Sequence, residues 1–360
     1  MDVDLGGFLN QTSSYDYNDS YEYEVDPEPT QVNFFPFLYP VVMAVGLLGN
    51  GLLLAVLAKK CGSWSMSDTF VLHQGVVDIL LLLTLPFWIV QASQPSGWSL
   101  GAPLCKISGA VFNINFYCGI FLLVCISLVR CLSCLSSIQG KLAVSHGICL
   151  LVYLISILLT IPDWIFLMPV KDKNGEEKTV CVHNYSPSGF DQQLFSRLPH
   201  HTLGFLLPAT TLIICCSSIL LRLQSRSKSR QKQRAVMVIV PLVTVFLLCW
   251  MPYNITLIVD TYRNLNQEPH GDDFSGNSEG SLETALKVTF ALGCVHACLR
   301  PLLYFGLCRN FRKRTLAMLR CATFEPEGSL WELGVDKEGL PGQSPEGEAL
   351  KQITDKQHQV

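Results

Sequence analysis

Tyr15, Tyr17, Tyr21 and Tyr23 alternate with Asp16, Asp19, Glu22, Glu24, Asp26 and Glu28 in a stretch that holds no Lys or Arg. Residues of these types at this spacing do electrostatic rather than covalent chemistry. An uncompensated acidic arm attracts a small basic protein and speeds its encounter by long-range steering. Tyrosines in acidic surroundings are candidates for sulfation, which adds further negative charge; the bland alternative is a merely solubilising tail. Asp163 and Asp260 stand near the ends of apolar runs, where a carboxylate is costly unless it meets a cation. They are candidates for contacting the basic segment of a ligand, with interfacial solvation as the alternative. Trp88 and Tyr117 are candidates to wall the same cavity, or else simply pack helices. No hydrolytic or metal-binding constellation is visible, so an enzyme, a metal or a cofactor is not expected. His200-His201 is expected to be hydrogen-bonded locally rather than metal-bound. No nucleic-acid partner is expected.

The elements that must position these groups follow from composition. With 49% hydrophobic and 15% charged residues, the chain is too apolar for two soluble domains. A helix needs about 20 mostly apolar residues to cross the hydrocarbon core. Seven stretches qualify: Phe37 to Ala58, Thr69 to Val90, Leu104 to Cys134, Val144 to Pro162, Leu198 to Leu221, Ala235 to Asp260 and Leu286 to Leu307. Unpaired backbone amides in lipid cost several kcal/mol each, so each stretch reads as a helix. The fold class is therefore an all-α membrane protein, a seven-transmembrane helix bundle.

Orientation follows from the cations. None precedes Lys59, whereas Lys59, Lys60, Arg130, Lys141, the 222–234 cluster and Arg309 to Arg320 mark alternate loops, which the positive-inside rule makes cytoplasmic. A plasma-membrane protein with its N-terminus outside is expected, and the sequons at Asn10, Asn18 and Asn184 fall on that side. Asn254 begins a fourth sequon but lies within the sixth span and should stay bare. No cleavable signal peptide is visible, because the first residues are acidic and polar. Of the 15 cysteines, only Cys105 and Cys181 face the oxidising side; they are expected to pair, two free thiols being the alternative.

Four segments result: an extracellular acidic Tyr-rich tail over 1–36, the bundle over 37–308, a short amphipathic helix on the membrane surface over 309–321, and a cytoplasmic tail over 322–360 with no helical or strand period, expected to be disordered. Cys321 is a candidate for palmitoylation or else an unmodified surface thiol, and membrane lipid is the expected neighbour of the short helix.

Several landmarks recur in order: Gly49-Asn50, Asp78, Cys105 and Arg130 on one helix, Pro208, Cys249-Trp250-Met251-Pro252 and Pro301-Leu302-Leu303-Tyr304. Across the membrane region this resembles the rhodopsin-like G-protein-coupled receptors. Thr84-Leu85-Pro86-Phe87-Trp88 is similar to the chemokine-receptor signature of the second helix, in which Pro kinks the helix. Phe112-Asn113-Ile114-Asn115-Phe116-Tyr117, Ile161-Pro162-Asp163-Trp164-Ile165-Phe166 and Phe205-Leu206-Leu207-Pro208 are similar to the CXC chemokine receptors, above all to the type-three group for interferon-inducible ligands. The resemblance implies basic CXC chemokines as ligands, and Asp78, Arg130, Trp250, Arg300 and Tyr304 as the switch and coupling positions.

The pattern is broken where the resemblance implies coupling. The family's Asp-Arg-Tyr reads Val129-Arg130-Cys131, and Cys216 stands where a Tyr is expected eight residues after Pro208. The loop Leu132 to Lys141 lacks the usual docking pattern. Arg300 replaces an Asn before Pro301, at a position that should face Asp78 where the family holds sodium; an Arg300 to Asp78 ion pair is expected, or else snorkelling to the cytoplasm. The tail and third outer loop lack the cysteines of a second disulfide. Few tail hydroxyls, chiefly Thr323, Ser329, Ser344 and Thr354, are available for arrestin capture, so internalisation is expected to be constitutive.

Two readings follow: an atypical, scavenger-like receptor that internalises CXC chemokine with weak or absent G-protein coupling, or a conventional receptor driving chemotaxis. A transporter, channel or light receptor is the reading from another class. His73, Asp78 and Arg300 would be its proton path, but no repeated halves are visible, and Cys294 stands where an opsin-like chain needs Lys.

Overall fold

A computed structural model describes residues 34–60, 64–133, 142–171, 178–185, 190–225, 237–266, 276–320 and 330–331. Tyr15, Tyr17, Tyr21, Tyr23, Asn10, Asn18 and Cys321 lie outside these residues, as do most of the loop after the third helix and of the 222–234 cluster.

Among the described residues, seven helices are long and apolar enough to cross a membrane. They are α1 (Phe35–Ala58), α2 (Met66–Ser93), α3 (Gly101–Ser133), α4 (Leu142–Phe166), α5 (190–225), α6 (Ile239–Asn266) and α7 (Gly276–Leu307), followed by the short α8 (Arg309–Leu319). Most run past the apolar cores read from the sequence, because polar residues continue a helix once it leaves the hydrocarbon. Two starts are set by local chemistry. A Pro opens the first turn of α1, where its missing N–H costs nothing. At α2, the Ser65 hydroxyl accepts from Asp68 N while the Asp68 carboxylate accepts from Ser65 N, a reciprocal capping box.

α3 runs through the middle of the bundle: 67% of its spanning stretch is buried, against 28% for α4. Leu150, Leu151, Leu154, Ile157 and Leu158 of α4 are accordingly exposed, as a lipid-facing surface requires. The core joins Phe112, Phe116, Tyr117, Phe246 and Trp250 to Leu residues of α1 and α2.

α5 is not a regular helix. An α-helical segment, Phe190–Pro199, passes through a π-helical stretch, His200–Leu206, into Leu207–Ser225. Pro208 has no N–H to give the carbonyl of Gly204, and Leu207 N reaches back to Thr202 O instead. The wider turn brings His200 into the core, and Gly204 leaves the room that the Tyr117 ring occupies.

Between α4 and α5 lie β1 (Leu167–Lys171) and β2 (Thr179–His183), antiparallel with Pro169 opposite Cys181. The all-α fold class read from the sequence did not foresee this hairpin. Cys105 and Cys181 form the disulfide that ties β2 to the start of α3. Cys181 N donates to Gln91 Oε1 at 3.0 Å, and Trp98 N to Thr179 O at 2.6 Å. Gly97 makes the second contact possible with a φ of 69°, which a side chain would strain. The hairpin caps one end of the bundle; α8 lies at the other.

Candidate functional site

Three polar and aromatic layers run down the bundle from the hairpin end. In the first, Asp163 on α4 is buried and accepts from Asn113 Nδ2 at 3.1 Å and from the Ser196 hydroxyl. Arg197 on α5 places Nη1 4.0 Å from Asp163 and Nη2 3.9 Å from Asp260 on α6. The guanidinium therefore sits between the two carboxylates picked from the sequence, and the cation they meet in this structure is internal. Sequence reasoning missed Arg197. The signal available was a lone Arg beside the His pair, three residues before the π-helical turn.

His183 of β2 completes the cluster, with Nε2 3.9 Å from Asp163 and its ring parallel to Tyr185. Burial, reinforced by the Arg197 charge and opposed by Asp163, pushes its pKa down to about 4. The imidazole is neutral at neutral pH.

Trp88 and Tyr117 belong to one aromatic chain rather than to separate walls. Trp88 packs on Trp98 and on Phe290, Phe290 stacks on Phe112 at 4.1 Å, and Phe112 and Phe116 both touch Trp250. Phe116 then meets Tyr117 at 5.1 Å. Offset and tilted ring pairs of this kind add about 0.5–1.5 kcal/mol each beyond burial. Trp250 thus lies where the hairpin-end aromatics converge.

His200, expected to be hydrogen-bonded locally, is hydrogen-bonded, but to other helices. Its Nδ1 lies 2.8 Å from the Tyr117 hydroxyl on α3 and its Nε2 3.1 Å from Asn254 Oδ1 on α6, so the π-helical turn makes it a bridge across three helices. Asn254 is buried by this contact and also donates to Trp250 O at 2.9 Å.

The second layer is ionic. Arg300 Nη1 on α7 lies 2.8 Å from Asp78 Oδ2 on α2, with Asp78 wholly buried and Arg300 4% exposed. Asn115 Nδ2 on α3 donates to the other carboxylate oxygen at 2.9 Å, and Arg300 Nη2 approaches His296 Nδ1 at 3.5 Å. The guanidinium points inward rather than snorkelling to the end of its helix. Beside it, Asn50 Nδ2 reaches Ala297 O at 3.0 Å and joins α1 to α7.

The third layer lies at the end bearing α8. Arg130 and Tyr304 are both buried, and the Arg130 guanidinium is within electrostatic reach of Asp68, Tyr304 and Cys308. Asp68 Oδ2 accepts from Lys60 Nζ at 2.6 Å and from the Ser65 hydroxyl at 2.7 Å. Arg314 of α8 donates to Lys59 O at 3.1 Å and holds α8 against the end of α1.

Asn184 follows β2 and is exposed.

Comparison with known proteins agrees with this architecture. The profile of the 7 transmembrane receptor (rhodopsin family) matches residues 49–304. The chain is similar to the C-X-C chemokine receptor type 3 of Bos taurus, at 36% identity over 89% of this chain and 91% of that protein. It is similar to the human type 3 receptor at 36% over 88% and 87%, and to the C-X-C chemokine receptor type 1 of Oryctolagus cuniculus at 33% over 78% of each.

Proposed function

Because this chain belongs to the rhodopsin family of seven-transmembrane receptors, among the CXC chemokine receptors, we propose that it captures basic CXC chemokines at the cell surface and internalises them with weak or absent G-protein coupling. Members of this family are multi-pass plasma-membrane receptors and not enzymes. In the proposed orientation the acidic N-terminal arm and the hairpin end are extracellular, and α8 lies on the cytoplasmic side.

The observation that carries the atypical reading is the Arg300 to Asp78 ion pair. A buried charge pair between α2 and α7 is expensive to separate, so it resists movement of one helix against the other. Its support is Cys216, which stands in place of a tyrosine that would steady Arg130 in the active arrangement, and it outweighs Val129, whose missing carboxylate by itself would free Arg130 and raise basal activity. Capture of ligand rests on other residues. Tyr15, Tyr17, Tyr21 and Tyr23 in their acidic setting would make the first, steered encounter. Basic residues of the ligand would then compete with Arg197 for Asp163 and Asp260, beside the aromatic chain headed by Trp88.

The retained Arg130, Trp250 and Tyr304 favour the second reading, a conventional signalling receptor. Labelled basic CXC chemokines applied to cells carrying the chain separate the two. Uptake without G-protein activation is the expected result. Robust activation would overturn the atypical half, and absence of any chemokine binding would overturn the receptor reading as a whole. Arrestin recruitment, read alongside, is expected to be weak.

A further inference from the structure

Leu330 and Trp331 are buried to 1% exposure each, although the sequence around them has no apolar period that would bury a strand or helix. Trp331 Nε1 donates to Asp68 Oδ1 at 2.8 Å, using the oxygen of the α2 cap that Lys60 and Ser65 leave available. The indole packs on Tyr304 with ring centroids 4.8 Å apart and stacks on Phe311 of α8 at 5.8 Å. Tyr304 and Asp68 are two of the groups within electrostatic reach of Arg130.

We propose that Leu330-Trp331 is a built-in ligand of this pocket, so that the chain's own C-terminal segment blocks the end of the bundle where an effector would dock. This rests on the receptor reading and extends it to regulation. The pocket has the parts that select an indole over other side chains. A buried carboxylate takes its N–H, Phe311 stacks on its face, and Tyr304 packs against it at a tilt. The reach is sufficient: residues 321–329 join α8 to the dipeptide, and nine residues span up to about 30 Å, while α8, at 11 residues, is only about 16 Å long. Charge also favours docking, since Glu325, Glu327 and Glu332 flank the dipeptide, whereas Arg309, Arg312, Lys313, Arg314 and Arg320 lie on or next to α8.

Under the proposed weak coupling, the contact lets Arg130 and Tyr304 be retained and yet be kept from an effector. Trp331→Phe keeps both ring contacts and loses the N–H to a carboxylate, which should loosen the seat about tenfold. Trp331→Ala removes the seat.

The test uses full-length receptor in lipid nanodiscs. With a photo-crosslinking benzoylphenylalanine at position 330, which leaves the Trp331 indole in place, irradiation is expected to give intramolecular products mapped to peptides containing Asp68, Tyr304 or Phe311. Products elsewhere, or none, would overturn the proposal whether or not the protein binds chemokine. In parallel, engineered inhibitory-class mini-G protein is titrated onto the wild type, Trp331→Phe and Trp331→Ala. The expected order of binding is wild type weakest, Phe intermediate and Ala at least tenfold tighter than wild type. Equal binding, or equal absence of binding, in all three would overturn the blocking role. Failure of the chemokine reading itself is seen separately, as lack of labelled chemokine binding by all three proteins.

Discussion

Replacing Asp78 by Ala strands the Arg300 guanidinium in the middle of the bundle. At 2.8 Å the two charges attract by about 6 kcal/mol at an effective dielectric of about 20. Desolvation of both groups offsets most of that, so the intact pair contributes little net stability. Removing one partner leaves the other's desolvation uncompensated and costs about 3–5 kcal/mol, a roughly 150- to 5,000-fold fall in the folded-to-unfolded ratio. Loss of the Asn115 contact adds about 1 kcal/mol. The assay is a double-mutant cycle over wild type, Asp78→Leu, Arg300→Met and the double variant, each read by surface expression and by Tm in detergent. Each single variant should fall sharply and the double should recover most of the loss, because two apolar groups strand no charge. Asp78→Asn, which keeps the shape and can keep a contact to Asn115, should fall nearly as far as Asp78→Ala. Single variants that melt and traffic like the wild type, or losses that simply add, would refute the ion-pair reasoning.

Exchanging sodium for potassium at constant ionic strength should leave chemokine affinity unchanged, since Arg300 already supplies the cation at Asp78. Cys181→Ser opens a loop of 76 residues' separation and should cost about 4–5 kcal/mol on the chain-entropy account, seen as reduced surface protein and lost ligand binding. Acidification should destabilise the hairpin end. His183 titrates near 4 when folded and near 6.5 when unfolded, so the unfolded chain binds more protons between those values. Stability is therefore full above pH 6.5 and falls by about 1–2 kcal/mol toward pH 5, an effect that His183→Asn should remove from the melting curve. Arg197→Gln makes the site one unit more negative. Basic chemokines should associate severalfold faster at low salt, with the gain vanishing at high salt, while Tm drops because Asp163 and Asp260 lose their shared cation.

How far the sequence carries depends on the kind of interaction. The seven spans were legible because burial in lipid demands long apolar runs that any single stretch displays. The disulfide was legible because sorting by membrane side left two cysteines to pair. The Arg300 to Asp78 contact could be reasoned out because two opposite charges in hydrocarbon have few other places to go. Asp163 and Asp260 could be picked on the same grounds, but their partner could not. Arg197 stands where a surface cation is ordinary, and only the course of α5 turns it inward.

What the chain determines alone is thus what is local or forced by the solvent: span length, charge sorting and the cost of buried charge. What tertiary structure decided is what depends on which helix faces meet. The π-helical turn rotates His200 from its own helix toward Tyr117 and Asn254. The β-hairpin pairs two short segments with no alternating pattern, since backbone hydrogen bonds and the disulfide hold it in place of an apolar face. Trp331, an isolated indole in a polar tail by sequence, finds its carboxylate and rings only because three distant elements converge at one end of the bundle.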